Sequence, residues 1–186
     1  MNPKKLIITL IVITLVLTTL TAMRTKDSLT EPKENAKVEQ SVDENKNSLK
    51  NKFSAFDVPL DEDLQLYIFE LSERYSVPME LIIAVIGQES NYDPSKIGDN
   101  HNSYGLMQVQ PKWHEERMVQ YNVTDLLNPY ENCLIGVDYL AECLQKGGLE
   151  WGLMAYNGGP EHANNMTAQG VITEYAESVI YLSENL

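Results

Sequence analysis

The chain has 186 residues and a formal net charge of −13. This length suits one domain rather than two, and an apolar share of 43% is enough for a globular core. The negative charge argues against nucleic acid as a partner, because binding it requires a basic face.

An uncharged hydrophobic stretch lies near the N-terminus, from Leu6 to Met23. Its 18 residues are just enough to cross a hydrocarbon core as a helix. We interpret residues 1–23 as a membrane anchor or a cleavable signal segment. We favour the anchor because Leu20 stands two places before Ala22, where signal cleavage prefers a small residue.

Residues 24–55 are rich in Lys, Glu, Asn, Asp and Ser and contain few large apolar side chains. Seven basic and six acidic residues nearly balance there. This composition is typical of a flexible tether. A solvated helix over residues 34–50 is the second interpretation.

The remaining residues, 56–186, are predicted to form a single, mainly α-helical domain. The domain holds five Lys and Arg against 21 Asp and Glu, which gives a net charge near −16. Such a surface offers little to anionic lipids, but it does not hinder a largely neutral polysaccharide.

Helical signals follow one another along this domain, and a short strand is expected only near residues 103–109. The apolar residues recur at helical spacing, and the breaks between them carry caps, prolines or glycines. The predicted helices cover about residues 60–75, 79–90, 111–121, 129–146, 150–156 and 173–182. The start and stop signals that delimit them are Asp61, Pro78, Pro111, Asn128-Pro129 and Gly147-Gly148.

The two cysteines, Cys133 and Cys143, fall on the fourth predicted helix. Ten residues of helix separate alpha carbons by about 15 Å, whereas a disulfide needs them within about 7 Å. We therefore expect two buried, reduced thiols.

A glutamate follows directly on an apolar segment in GQESNYDP, residues 87–94. On a helix, Glu89 shares a face with Ile82, Val85 and Ile86. Desolvation there and the negative end of the helix would both raise the pKa of its carboxyl. Such an acid, protonated near neutral pH, can donate a proton to a leaving oxygen. From spacing alone, a helix-terminal glutamate that faces water fits equally well.

Three more segments accompany QESNYDPS (88–95), and the order of all four is informative. They are SYGLMQVQP (103–111), AYNGGP (155–160) and EYAESVIYL (174–182). Together they resemble the catalytic domain of the soluble lytic transglycosylase family, in the goose-type lysozyme-like superfamily, over about residues 60–186. The resemblance implies a lysozyme-like helical fold, cleavage of the β-1,4 bond between N-acetylmuramic acid and N-acetylglucosamine in peptidoglycan, and no metal or cofactor. It also implies an extracytoplasmic domain, whose anchor and tether would suit wall growth or a trans-envelope assembly apparatus.

The resemblance assigns the roles of individual residues. Glu89 matches the catalytic acid. Gln108 would bind an acetamido group, and Gly105 would let sugar approach the backbone closely. The residues that it implies for substrate binding are Ser90, Ser103, Gly105, Met107, Gln108, Tyr156, Asn157 and Tyr175. Read without the family, Tyr156 and Tyr175 fit core positions equally well, and Met107 is more often a gap filler.

One stretch departs from the family pattern. Members often carry a serine and a Gly-Ala pair where this chain has KIGDNHNSYGLMQ, residues 96–108. By resemblance, Glu89 alone acts as acid and then as base, closing a 1,6-anhydro ring without water. If Asp99 reaches the site, it could instead activate water, which would make the protein a hydrolytic muramidase. Its place between Gly98 and Asn100 also fits a simple turn.

Two other classes of function fit the sequence less well. A catalytically inactive glycan-binding or assembly module would keep the same groove, although binding alone does not require an apolar-flanked acid. A metalloprotease is excluded, because His114-Glu115 has no second histidine four positions after the first.

Overall fold

The computed structural model describes residues 51–186. The predicted anchor or signal segment, 1–23, and residues 24–50 of the predicted tether lie outside the described residues. Within residues 51–186, no helix combines the length and the apolar character that a membrane span needs.

Helices build the described part of the chain, as predicted, and a small two-stranded sheet interrupts them. One compact unit extends from Phe53 to Leu186. Its elements in chain order are α1 (Glu62–Tyr75), α2 (Met79–Ser90), β1 (Ile97–Gly98), β2 (Ser103–Tyr104), α3 (Pro111–Tyr121), α4 (Pro129–Ala168) and α5 (Glu174–Glu184).

Local signals set the helix ends. The carboxylate of Asp61 accepts a hydrogen bond from the backbone N–H of Leu64 at 2.7 Å and caps α1. Asn128 caps α4 and Thr173 caps α5 in the same way. The first three helices end on residues in the left-handed conformation, where the chain can turn away. These residues are Ser76, Asn91 and Asn122.

Helix α4 is divided by two glycines with non-helical backbone angles, Gly148 (φ 79°) and Gly159 (φ 83°). The first break confirms the predicted stop at Gly147-Gly148 and the separate helical piece that follows it. The second break lies shortly after the predicted helix end near residue 156, but the helical piece that follows it was not predicted. Pro160 directly after it begins another helical piece, as proline favours at a first turn.

The core is centred on α2, which packs against α1 and α5, while α4 packs against the same two helices. Ile82, Ile83 and Ile86 are fully buried, and each such side chain contributes about 1.5–3 kcal/mol by leaving water. A helix so enclosed holds its last turn in a fixed place. That turn carries Glu89.

The sheet is minimal and antiparallel, with Ile97 opposite Tyr104 and Gly98 opposite Ser103. An additional bridge joins Tyr104 to Val109. The expected strand near 103–109 is thus present in a short form. Strand β1 was not predicted, because two residues are too few to show an alternating pattern.

Both cysteines are buried and carry free thiols, as expected. Burial raises the pKa of the Cys133 thiol to about 12. That thiol therefore stays protonated and unreactive.

Candidate active site

A cleft of about 810 Å³ opens at the C-terminal end of α2, with Glu89 in its wall. Such a volume suits a ligand of several hundred Å³ with polar groups along its length. The other residues that line the cleft are Lys96, Gly98, Asp99, Ser103, Gln108, Val109, Gln110, Trp113, His114, Gly136, Tyr139, Tyr156, Asn157, Gly158, Gly159, Pro160 and Glu161.

Glu89 is held through its carboxyl and through its backbone carbonyl. Its Oε1 accepts a hydrogen bond from the Tyr175 hydroxyl at 2.7 Å. The ammonium of Lys96 donates to the Glu89 backbone carbonyl at 2.8 Å. This pair of contacts fixes both the side chain and the end of the helix.

Burial raises the pKa of Glu89 to about 7 from its ordinary value of 4.5. The Tyr175 hydrogen bond and the charge of Lys96 oppose that rise, and the carboxylate of Asp99 adds to it. Desolvation is the largest of these effects, because it disfavours the charged form. Near neutral pH, Glu89 is therefore divided between its acid and carboxylate forms, as a proton donor requires.

The loop between β1 and β2 carries Asp99 on the cleft wall. Asp99, Asn100 and His101 all have left-handed backbone angles, with φ of 48°, 54° and 70°. The Asp99 carboxylate accepts hydrogen bonds from the Ser103 hydroxyl and from Gln110 Nε2 at 3.0 Å. Asp99 is thus both a turn residue and a member of the cleft.

The loop that follows β2 is held from behind by Asn132, a fully buried side chain of α4. Asn132 Oδ1 accepts from the Met107 N–H at 2.8 Å. Its Nδ2 donates to the carbonyls of Tyr104 at 2.7 Å and Leu126 at 2.9 Å. One side chain therefore joins three backbone groups from two loops.

Gly105 makes this close packing feasible. Its φ is +73°, and a Cβ at this position would come within 2.5 Å of both Asn132 Nδ2 and the Leu126 carbonyl. The glycine thus leaves room for Asn132, and it is buried and does not line the cleft.

Three neighbouring rings, those of Tyr156, Tyr139 and His114, form part of the cleft lining. The Tyr156 hydroxyl donates to the Met107 carbonyl at 2.8 Å, and its ring centroid lies 5.4 Å from that of Tyr139. The next ring, His114, is 4.7 Å from Tyr139. Burial, and then the nearby charge of Glu89, raise the pKa of Tyr156 and of Tyr175 well above 10.0. Both phenols therefore remain hydrogen-bond donors.

A group of charges braces this wall from α3 and α4. Arg117 forms ion pairs with Asp138 and Glu142, and Glu142 also pairs with Lys146 at 2.5 Å. The Tyr121 hydroxyl donates to Asp138 at 2.8 Å. The contacts tie α3 to α4 beside the cleft.

The structure divides the sequence-predicted residues into two sets. Most of them meet at the cleft: Glu89, Asp99, Ser103, Gln108, Tyr156 and Asn157 line it, and Tyr175 contacts it through Glu89. Ser90, Gly105 and Met107 are buried behind the wall instead. Ser90 donates to the Ile86 carbonyl at 3.0 Å, and Met107 packs against Gly136.

Several cleft residues were missed by the sequence reasoning. Trp113 is 68% exposed on the lining, and the Lys112 ammonium lies 4.5 Å from its ring centroid. Lys96 was also missed, although it is one of few cations in an acidic domain. The sequence did offer a signal for Trp113, namely a tryptophan at a predicted helix start. Aromatic rings pack well against the apolar faces of sugars.

Among residues 51–186, no three His, Cys, Asp or Glu side chains come together in a way that could hold a metal ion.

Comparison with known proteins gives consistent results. A family model described as "Transglycosylase SLT domain" matches residues 66–177. The chain is similar to an inactive glutamate-to-glutamine mutant of lytic transglycosylase Slt from Pseudomonas aeruginosa, with a TM-score of 0.56, 18% identity, and coverage of 67% of this chain and 24% of the other. It is also similar to the 70 kDa soluble lytic transglycosylase from Escherichia coli, with a TM-score of 0.51, 23% identity, and coverage of 61% and 23%. The chain shares their fold and spans about a quarter of their length.

Proposed function

This chain belongs to the transglycosylase SLT domain family, and we propose that it is a peptidoglycan lytic transglycosylase. The bond cleaved would be the β-1,4 linkage between N-acetylmuramic acid and N-acetylglucosamine. The single observation that carries the proposal is the partly buried Glu89 carboxyl in the cleft wall, with a pKa of about 7 and an oriented contact to Tyr175.

In the first step, Glu89 acts as the acid. Its Oε1 accepts the Tyr175 hydrogen bond, so the transferable proton lies on Oε2. That proton moves to the glycosidic oxygen as the bond to the anomeric carbon breaks, and the substrate's own 2-acetamido group supports the developing positive charge. No second carboxylate is needed for this step, in contrast to glycosidases that use two.

In the second step, the Glu89 carboxylate acts as the base. It removes the proton of the muramoyl 6-hydroxyl, whose oxygen then bonds to the anomeric carbon and closes a 1,6-anhydro ring. Glu89 ends the cycle protonated, and no water is consumed. A pKa near 7 suits both steps, because neither protonation state is costly to reach at neutral pH.

The cleft also holds the groups that would bind the sugars. Ser103, Gln108 and Asn157 are polar and line it, and amides can both donate to and accept from acetamido groups. Ser90, Gly105 and Met107 would act indirectly, by shaping the wall behind them.

The mass of the product tests the proposed reaction. Digestion of purified peptidoglycan is expected to release muropeptides whose muramic end is an anhydro ring, one water lighter than the hydrolysis product. Mass spectrometry of the soluble fragments measures this directly. A reducing muramic end would refute the transglycosylase reaction.

A hydrolytic muramidase is the second candidate, because Asp99 shares the cleft with Glu89 and raises its pKa. Hydrolysis would need Asp99 as the base that activates water. Replacing Asp99 with asparagine would then abolish cleavage, whereas the proposed reaction should survive this change.

A change of pH profile is expected for Tyr175→Phe. The Tyr175 hydroxyl favours the charged form of Glu89, so its loss raises the pKa of the carboxyl above about 7. The alkaline limb of the cleavage rate should move to higher pH by about one unit. Rates of fragment release between pH 5 and 9 measure the limb.

Tyr130→Phe is the matched control for this profile, because Tyr130 is exposed on α4 and lies outside the cleft. Its profile should coincide with that of the unmodified chain. If the Tyr175→Phe profile coincided with those of Tyr130→Phe and the unmodified chain, the hydroxyl would not shift the pKa of Glu89.

Peptidoglycan lies outside the cytoplasmic membrane, so we propose an extracytoplasmic location for the domain. Residues 6–23 would anchor it to the membrane, or direct its secretion if they are cleaved. The tether could let an anchored domain reach local glycan strands, for wall growth or for an envelope-assembly apparatus.

A further inference from the structure

His114 is a buried polar side chain in the cleft wall with no role in the steps above. It is 8% exposed and lines the cleft. It lies near the start of α3, where its own backbone departs from helical angles, with φ −127° and ψ 16°.

Arg117 fixes the tautomer of this histidine. Arg117 Nη1 lies 3.1 Å from His114 Nδ1. A guanidinium can only donate hydrogen bonds, so Nδ1 accepts, and the single proton of the neutral ring lies on Nε2. The ion pairs of Arg117 with Asp138 and Glu142 hold the guanidinium in place.

The imidazole also stays neutral. Burial, and then the charge of Arg117, lower the pKa of His114 to about 4, against the opposing charges of Glu142 and Asp138. Its ring packs against Tyr139. At neutral pH it therefore offers a donor without a positive charge.

The Nε2–H group is free to meet a ligand. Among the hydrogen bonds of residues 51–186, His114 is joined only through Nδ1. No buried side-chain nitrogen or oxygen in the described part of the chain lacks a partner, so Nε2 is not fully enclosed. His114 lines the cleft, and a ligand bound there is the partner that this N–H could meet.

We propose that His114 is a substrate-binding residue whose Nε2–H donates a hydrogen bond to a neutral oxygen of the glycan, with Arg117 as its positioning residue. The identity of the ligand rests on the proposed function. N-acetylated sugars present hydroxyl and acetamido carbonyl oxygens, which are neutral acceptors and match a neutral donor.

Nitrogen NMR of the full-length chain tests the tautomer. Comparison with the spectra of His101→Gln and His162→Gln assigns the resonances of the three imidazoles. We expect the His114 proton on Nε2 between pH 5.5 and 8, and a change in the Nε2 resonance when the hexasaccharide of N-acetylglucosamine is added. A proton on Nδ1, or an Nε2 resonance unmoved at a saccharide concentration that saturates binding, would overturn the proposal.

Two substitutions test the hydrogen bond itself, in a Glu89→Gln background that cannot turn over. Glutamine at position 114 carries an amide donor near the position of Nε2, whereas asparagine reaches only as far as Nδ1. His114→Asn should weaken hexasaccharide binding by about fivefold, and His114→Gln should restore it to within about twofold. Calorimetry measures both affinities, and equal binding by His114→Asn and its parent would refute the role.

The outcomes separate this proposal from the proposed function. A chain that binds hexasaccharide through His114 but does not cleave peptidoglycan would refute the function alone. Cleavage with the predicted product and an unresponsive His114 would refute only the histidine. A parent chain that does not bind the hexasaccharide overturns the proposal for His114.

Discussion

Replacing Glu89 with glutamine is expected to lower the rate of peptidoglycan cleavage by at least about 10³-fold. General acid–base catalysis typically contributes 10²–10⁴-fold, and here one side chain would fill both roles. Glutamine has nearly the same shape and can still accept the Tyr175 hydrogen bond, but it cannot transfer a proton. Release of soluble fragments from purified peptidoglycan measures the rate.

Glu80→Gln provides the matched control. Glu80 lies in the first turn of the same helix α2, is exposed, and does not line the cleft. Its substitution removes the same charge from an already acidic domain and should leave the rate unchanged. Equal cleavage by Glu89→Gln and Glu80→Gln would refute the catalytic role of Glu89.

Glu89→Gln should also change the stability of the fold, and the size of this change should depend on pH. The pKa of Glu89 is about 7 when folded and 4.5 ordinarily, so the folded chain holds this proton more tightly than the unfolded chain. The unmodified protein therefore loses stability as pH rises from 4.5 through 7, and a neutral glutamine does not. At pH 8, Glu89→Gln should be more stable by up to about 3 kcal/mol, and the gain should vanish at pH 4.

Urea denaturation of the two chains at both pH values measures this difference. A gain at pH 8 that also persists at pH 4 would point to altered packing rather than to the charge. Equal stability at pH 8 would show a carboxyl exposed to water, which would remove the physical basis for its action as an acid.

The apolar surroundings of Glu89 could be predicted from the sequence because their signal is local. Helical spacing places it beside Ile82, Val85 and Ile86, and the structure buries all three. The same local reasoning predicted the caps at Asp61 and Asn128 and the break at Gly147-Gly148. Each of these features depends on a few neighbouring residues, so the sequence determines it without knowledge of the fold.

Local reasoning could not show which residues of a motif line the cleft and which are buried behind its wall. Gly105, Met107 and Gln108 are neighbours in one motif, yet only Gln108 lines the cleft. The other two face Asn132 and Gly136 of α4, about thirty residues further along the chain. A motif shows that residues belong to one site, but the partner that buries each of them is set by tertiary packing.

Asp99 shows that two interpretations of one residue need not exclude each other. Its left-handed backbone fits the turn, and its carboxylate nevertheless lines the cleft. Hydrogen bonds from Ser103 and Gln110 both end on its Oδ2 and hold the carboxylate in the wall. This favours a role in shaping the wall and in raising the pKa of Glu89 over a role as a free base.

Asn132→Ala is expected to destabilise the domain by at least about 2 kcal/mol. Asn132 is fully buried and makes hydrogen bonds with three backbone groups. Leaving a buried polar group unpaired costs about 1–3 kcal/mol. Alanine would leave the Met107 N–H and the Leu126 carbonyl without a partner, whereas the Tyr104 carbonyl also accepts from the Val109 N–H. Urea denaturation measures the loss, with Asn165→Ala, an exposed position on the same helix, expected to change stability by less than about 0.5 kcal/mol.

Asn132→Asp distinguishes the hydrogen bonds from the volume of the side chain. Aspartate keeps the acceptor for the Met107 N–H but would direct an oxygen at the carbonyls of Tyr104 and Leu126, so it should be destabilising despite its matching size. If aspartate were tolerated and alanine were not, the site would need only packing.

Because the loop that Asn132 holds carries Gln108 into the cleft, loss of these hydrogen bonds should also lower cleavage in any fraction that remains folded. A stable Asn132→Ala chain with full activity would show that the cleft wall is held by other contacts.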